Sequence, residues 1–299
     1  MAEKILIIGS TGLVGSRFVE LSPDLNLLTP THTEFDLSDL NSIDKYLSVN
    51  QPKFIINFAA YTNVGEAEKQ TGDKTSPCWQ VNVVGTQNLL KQSTGIPLIH
   101  ISTDMVFSGS IDDPGPYTEN HPTESDPKKL TWYGYSKQQA EALVLSANQT
   151  IIRIIYPVRA KFAQKLDYLR LPLSLYSQGK LYPLFTDQQV SFTFIDELID
   201  VLHQLISSHQ SGIFHVSSDT FNPFDLVTYN LKKLGADTSV VKSSSVVEFL
   251  KTQPNPYRYP VKGGLSAQTT HAKLGLKFRA WQAVVDTMIE QGLKLNVVK

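Results

Sequence analysis

The feature that most restricts this chain is the turn Gly9-Ser10-Thr11-Gly12-Leu13-Val14-Gly15. It follows directly on the apolar run of residues 5–8 and leads into a stretch with helical periodicity. Glycines in that setting permit a tight turn, a close approach of backbone to a pyrophosphate, and helix-on-strand packing with no side chain between. The N-terminus of the following helix offers N–H groups and a partial positive charge to phosphates. Gly9, Thr11, Gly12, Leu13, Val14 and Gly15 are therefore candidate dinucleotide-binding residues. The same glycines could also serve turn geometry alone.

Downstream, short β-branched runs alternate with longer amphipathic stretches, the pattern of strand-helix-strand units with parallel strands. Strands are predicted at 4–8, 26–28, 54–58, 98–101 and 151–154, and helices at 12–20, 40–49, 79–93 and 133–146. Near-continuous apolar strands such as Ile55-Ile56-Asn57-Phe58 suggest a sheet covered on both faces. The fold class read from this is α/β: a Rossmann-like, doubly wound parallel sheet with a smaller mixed C-terminal lobe. The NAD(P)-binding domain is placed at 1–155, with 190–216 returning to it, and a substrate-binding lobe at 156–299. Within that lobe, 161–180 reads as one helix interrupted at Pro172. Further helices are expected from Thr193–Asp196 to about 207 and at 223–234, 246–251 and 281–293, with a strand at 212–216.

Composition narrows the function. Of 299 residues 41% are hydrophobic, and 27 basic against 28 acidic residues leave a net charge of −1, so disorder is excluded. The absence of a basic run removes the footprint of a nucleic-acid or anionic-membrane partner, leaving a small molecule. The single cysteine, Cys78, forbids an internal disulfide and a thiolate metal site. The N-terminal apolar run is too short for a signal peptide and no segment is long enough to span a bilayer, so a cytoplasmic location is expected. Seven scattered histidines without an HExxH pattern give no metal site.

Tyr133 and Lys137, at i and i+4, share one helix face. A nearby ammonium favours the phenolate, so such a tyrosine can exchange a proton with a carbonyl or alcohol. The spacing alone is weak, because Tyr176/Lys180 and Tyr229/Lys233 repeat it. Only Tyr133/Lys137 opens a helix after a strand with a polar exit, Ile101-Ser102-Thr103-Asp104. The carboxyl ends of parallel strands form the ligand crevice, so Thr103 can face the same substrate atom as Tyr133, with Lys137 holding the cofactor ribose. Asp36 and Leu37, about 20 residues past the glycine turn, are placed near the adenine or its ribose. No acid ends the second strand, which tilts the reading toward NADP(H) over NAD(H), with Thr31, His32 or Arg17 as phosphate partners. His100, inside a strand, reads as a satisfied core residue. Arg159, Lys161, Lys165 and Arg170 could meet a diphosphate or form a solvated helix face.

The segments GSTGLVG (9–15), INFAAYTNVGEAE (56–68), VNVVGTQNLL (81–90), HISTDMVFSG (100–109), YGYSKQQAE (133–141), IIR (151–153) and TDQQ (186–189) give the chain a specific resemblance. It resembles the extended short-chain dehydrogenase/reductases of nucleotide-sugar metabolism, above all the dTDP-4-dehydrorhamnose reductase family. That resemblance implies hydride transfer from NAD(P)H to the C4 ketone of a nucleotide-linked deoxysugar, with Thr103, Tyr133 and Lys137 as the catalytic set. It adds Phe58, Ala59, Ala60, Tyr61, Ser102 and Tyr156 to the cofactor contacts, and implies Thr62, Val64, Asp104, Met105, Tyr156 and Gln188 for the sugar. A homodimer is compatible with it. Gly65, Met105, Tyr156 and Val190–Thr193 depart from the family pattern at positions expected to shape the sugar pocket. The alternative is a non-catalytic, cofactor-binding subunit like the reductase-like subunit of methionine adenosyltransferase; the intact Thr103/Tyr133/Lys137 set argues against it.

Overall fold

The computed structural model describes residues 3–295; the outer ends of the two expected lobes, 1–2 and 296–299, lie outside the described residues. The chain divides into two compact units. One holds the chain up to Phe107 with Pro122–Arg153 and Ile199–Phe214; the other holds Ser108–His121, Ile154–Leu198 and the chain from His215. No helix among the described residues is long and apolar enough to cross a membrane.

The first unit is built on β1 (Lys4–Ile8), α1 (Gly15–Leu21), β2 (Asn26–Leu28), α2 (Leu40–Asn50), β3 (Phe54–Asn57), α3 (Val64–Glu68), α4 (Pro77–Trp79), α5 (Gly85–Gln92), β4 (Leu98–Thr103), α6 (Trp132–Ser146) and β5 (Thr150–Ile154). The main sheet has the order β2-β1-β3-β4-β5-β7, β7 being Ile213–Val216, with parallel registers Ile5↔Leu27, Leu6↔Ile55 and Ile56↔Ile99. Every residue of β3, β4 and β5 is buried, as the unbroken apolar runs predicted. On one face Leu6, Ile8, Ile55 and Leu98 pack with Ile43 and Leu47 of α2 and Leu89 of α5. Strand order reverses between β1 and β3, and the carboxyl ends there are where a doubly wound sheet opens a ligand crevice.

Local differences from the predicted elements have identifiable causes. Helix α1 begins at Gly15, not residue 12, because residues 9–14 close a turn with Gly12 N–H on Gly9 O at 3.1 Å. A Cβ at Gly15 would stand 2.3 Å from that same carbonyl oxygen. β3 stops at Asn57, whose side chain accepts the Ala59 N–H at 3.0 Å and turns the chain, so Phe58 lies outside the strand. The helix predicted at 79–93 runs over 77–92 and is interrupted by a π-helical turn, Gln80–Val84. That turn carries Asn82, and such an inserted residue re-aims a side chain that an unbroken α-helix would place elsewhere.

The second unit comprises α7 (Arg170–Ser177), a two-stranded parallel sheet of β6 (Leu184–Phe185) and β8 (Ser243–Ser244), and α9 (Pro223–Lys233), α10 (Val246–Leu250), α11 (Gln268–Leu274) and α12 (Trp281–Glu290), with most of its residues outside these elements. Helix α8 (Ile195–Ser208) leads from this unit back to the first. The core gathers Phe192, Phe194, Phe221, Leu226, Leu231, Trp281, Val285 and Met288. The single helix predicted at 161–180 is not formed: 161–169 is irregular and α7 starts at Arg170. Pro172 sits inside α7 without breaking it, since it is the third residue, where an N–H has no intrahelical acceptor.

Candidate active site

Thr103 ends β4, and Asp104–Val106 forms a single 3-10 turn beyond it. Thr131 caps α6, its hydroxyl accepting the Gly134 N–H at 2.9 Å. A Cβ on Gly134 would lie 2.1 Å from Met105 O, so only glycine lets the first turn of α6 rest backbone-to-backbone on the turn after β4. That close approach brings the start of α6, and Tyr133 with it, to the end of β4, where Thr103 and Asp104 both act on the phenol. Thr103 donates to Asp104 Oδ1 at 3.0 Å and accepts the Met105 N–H at 3.2 Å. One turn further along α6, Lys137 is 1% exposed and donates to Ile101 O at 2.8 Å; its Nζ also stands 2.8 Å from His100 Nε2.

Burial dominates the electrostatics. It raises the Asp104 carboxyl to about 7, against the hydrogen bond from Thr103. It raises the Tyr133 phenol well above its ordinary value, Asp104 adding to the rise and the Thr103 bond opposing it. It lowers Lys137 to about 8, against the charge of Glu141. His100 is held well below its ordinary value by burial and then by Lys137. The ionisation expected of Tyr133 from Lys137 at i+4 does not arise: desolvation and the Asp104 charge hold the phenol protonated at neutral pH.

The glycine turn and the segment after β3 meet at the switch point of the sheet. Gly9, at φ +79°, comes so near that a Cβ there would stand 2.8 Å from Ala59 N. Gly12 differs: a Cβ would meet nothing but Gly9 O at 3.4 Å, so its lack of a side chain leaves open space beside the turn. Phe58 N–H donates to Ile8 O at 2.9 Å. Asn82 clamps the Tyr61 peptide, accepting its N–H at 2.8 Å and donating to its carbonyl at 3.3 Å, and also donates to Ser136 Oγ on α6 at 2.9 Å. Ala60 lies between the two fixed peptides, Thr62 is exposed, and Val64 opens α3, the helix that also holds Gly65. Thr11 is exposed, and Leu13 and Val14 are half-buried. Ser102 Oγ is buried without a hydrogen-bond partner, next to Thr103.

Other expected contacts are already engaged. Asp36 is pulled upward by partial burial but held below its ordinary range by the hydrogen bonds from Ser38, at 2.8 and 2.7 Å. Leu37 is buried against Gly85. Each of the proposed phosphate partners faces a carboxylate: Thr31 gives both N–H and hydroxyl to Glu34 at 2.8 Å, Arg17 pairs with Glu20 at 3.2 Å, and His32 lies 4.0 Å from Asp36.

In the second unit, Tyr156 takes a left-handed backbone, φ +38°, and stacks on Tyr168 with ring centroids 4.2 Å apart. Gln188 is buried and donates to Pro260 O at 2.8 Å. Val190, Ser191, Phe192 and Thr193 are completely buried, Thr193 donating to Val216 O at 2.6 Å, so these departures from the family pattern belong to the core. Arg170 is neither a diphosphate ligand nor a solvated residue. It is 1% exposed and donates to Asp167 at 2.8 Å and to Phe162 O and Lys165 O at 2.6 and 2.7 Å. Arg159 is buried too, its N–H on Asp167 at 3.3 Å, while Lys161 and Lys165 are exposed.

Asn57, Asn82, Ser136 and Asp167 organise these sites and were not singled out from the sequence. Asn57 and Asn82 do lie inside the segments 56–68 and 81–90 that carried the resemblance.

A family model described as the RmlD substrate binding domain matches residues 3–293. A dTDP-4-dehydrorhamnose reductase of Sinorhizobium fredii is 26% identical over 302 residues, covering 93% of this chain and 94% of the relative. A dTDP-4-keto-6-deoxy-D-glucose reductase of Streptomyces niveus is 28% identical over 250 residues, 81% and 82% of the two chains. Among solved structures, the dTDP-4-dehydrorhamnose reductase of Bacillus anthracis in complex with NADP superposes with a TM-score of 0.84 at 23% identity, covering 97% of this chain and 100% of that one.

Proposed function

The chain belongs to the RmlD substrate-binding domain family, and from that premise we propose that it is an NAD(P)H-dependent reductase of a nucleotide-linked 4-keto-deoxysugar. The observation that carries this reading is the packing of the first turns of α6, with Tyr133 and Lys137, against the end of β4, with Thr103: Gly134 rests on Met105 O, and Lys137 donates to Ile101 O. The open space that Gly12 leaves beside the glycine turn and the buried Ser102 hydroxyl without a partner are features that would suit a bound dinucleotide. Gly9–Gly15, Phe58–Tyr61, Ser102 and Lys137 are the residues proposed to hold it. When bound, the reduced nicotinamide supplies the hydride that ends on the ketone carbon.

The protein's own part is to manage the oxygen. A phenol that keeps its proton at neutral pH is suited to donate it to the developing alkoxide. Thr103, turning its hydroxyl from Asp104 to the ketone oxygen, supports the negative charge that builds there. Lys137, one turn below, is placed to hold the nicotinamide ribose. NADP(H) is the favoured cofactor, since a relative of the same fold was solved with NADP, and NAD(H) is the second choice.

The test is nicotinamide oxidation by the purified protein, with NADPH and NADH in turn, against a panel of 4-keto-6-deoxy nucleotide sugars beginning with dTDP-linked ones. Oxidation that depends on the sugar supports the reading; none with any member of the panel overturns it.

A further inference from the structure

The buried side of Lys137 carries information that the proposed reaction does not use. Asn57 and His100 are register partners on adjacent strands β3 and β4, both 1% exposed, and His100 reaches from the sheet to Lys137 on α6. Asn57 can face its neighbours in only one way. The Ala59 backbone N–H, 3.0 Å away, can only donate, so the Asn57 atom it meets is the carbonyl oxygen. The amide nitrogen therefore faces His100 Nδ1, at 3.3 Å, and has only hydrogens to offer. His100 Nδ1 must accept.

A neutral imidazole that accepts at Nδ1 carries its proton on Nε2. His100 Nε2 stands 2.8 Å from Lys137 Nζ. An ammonium has no lone pair, so an N–H directed at it finds no acceptor; an amine accepts it. With Ile101 O taking one lysine N–H at 2.8 Å, the amine form matches a donor to an acceptor at each of the contacts from Ala59 through Asn57 and His100 to Lys137. The ammonium form forces His100 to move its proton to Nδ1, against the Asn57 amide hydrogens.

We propose that Asn57 and His100 are positioning residues that couple the charge of Lys137 to the tautomer of His100, favouring the uncharged amine through an Nε2–H···Nζ hydrogen bond. The other ionisable groups acting on Lys137, Glu141 on its own helix and Cys78 on α4, favour the ammonium; burial favours the amine. Burial and Lys137 keep His100 itself from becoming a cation. The consequence for turnover rests on the reductase reading above, but the tautomer is a property of the protein without substrate.

The experiment is nitrogen NMR of protein labelled at its histidines, with the His100 signals identified by their loss in H100Q. Well above the titration of Lys137, Nε2 is expected to be the protonated nitrogen. As pH falls through that titration the pattern should reverse to Nδ1–H without the ring becoming cationic. The isosteric variant N57D offers the Nδ1–H an acceptor, so it should hold that tautomer and raise the Lys137 titration by about one pH unit or more, a tenfold change in proton affinity. An Nδ1–H tautomer at every pH in the wild-type protein, or a His100 ring that titrates to a cation near neutrality, would overturn the proposal even if N57D failed to fold. Either result leaves the reductase assay untouched, so the two readings fail separately.

Discussion

The Thr103 hydroxyl spends its only proton on the Asp104 carboxylate, 3.0 Å away, and so offers lone pairs to whatever else it meets. It can donate to a ketone only when that bond is released. Burial places the Asp104 titration at about 7, so the release is set within the working pH range. Reduction should therefore speed up as pH falls through about 7, and D104N should lose this limb of the kcat profile. Stability gives a second readout. A carboxyl whose folded pKa lies above its unfolded one stabilises fully below the unfolded value and loses that contribution as pH rises through the folded one. D104N should thus gain most in Tm relative to wild type on the alkaline side of about 7, and least in acid, as thermal unfolding in two buffers will show.

Tyr133→Phe removes the proton donor and leaves the ring. A drop in kcat of about 100-fold or more, the usual range for a positioned general acid, is expected. The dissociation constant for NADPH, read by fluorescence titration, should change little. Turnover equal to wild type would remove Tyr133 from the reaction.

The two glycines of the first turn should separate folding from binding. Gly9→Ala places a Cβ 2.8 Å from Ala59 N at φ +79°, and is expected to lower stability by about 2 kcal/mol or more in urea unfolding. Gly12→Ala meets only Gly9 O at 3.4 Å and should fold within about 1 kcal/mol of wild type. Its methyl fills the space assigned to the dinucleotide, so the KM for cofactor should rise about tenfold or more.

Arg153 of β5 and Glu141 of α6 form a two-pronged buried pair at 2.9 and 2.7 Å, with the guanidinium over the Phe107 ring. Breaking it by E141Q should cost about 3 to 5 kcal/mol, because it removes the charge of Glu141 from beside a buried guanidinium. The same change removes a charge that supports the Lys137 ammonium, so the lysine titration should fall in E141Q. Replacing both partners with apolar residues should recover much of the stability and none of the titration.

Much of the first unit was legible because its signals are local. The apolar runs at 4–8, 54–58 and 151–154 pointed to covered strands within a residue of where they form, and the glycine turn lay between a strand and a helical stretch. The second unit was harder, because its order comes from contacts far apart in sequence. Asp167 organises an irregular segment by accepting from Leu169, Arg170 and Arg159 at once, and no periodicity announces such a carboxylate. Arg170, whose charge suggested either a diphosphate contact or a solvated helix face, is instead a 1%-exposed partner of that carboxylate.

The amino-acid order alone determined the alternating architecture, the glycine turn, and the presence of a threonine, a tyrosine and a lysine at the ends of the right elements. Periodicity and turn chemistry act over a few residues and can be read without coordinates. Only the tertiary structure decided what those groups are. Tyr133 holds its proton, Asp104 titrates near neutrality, and Lys137 answers to a histidine on the sheet and, through it, to an asparagine. Desolvation and hydrogen-bond direction set those states, and both depend on which distant segments close around a side chain.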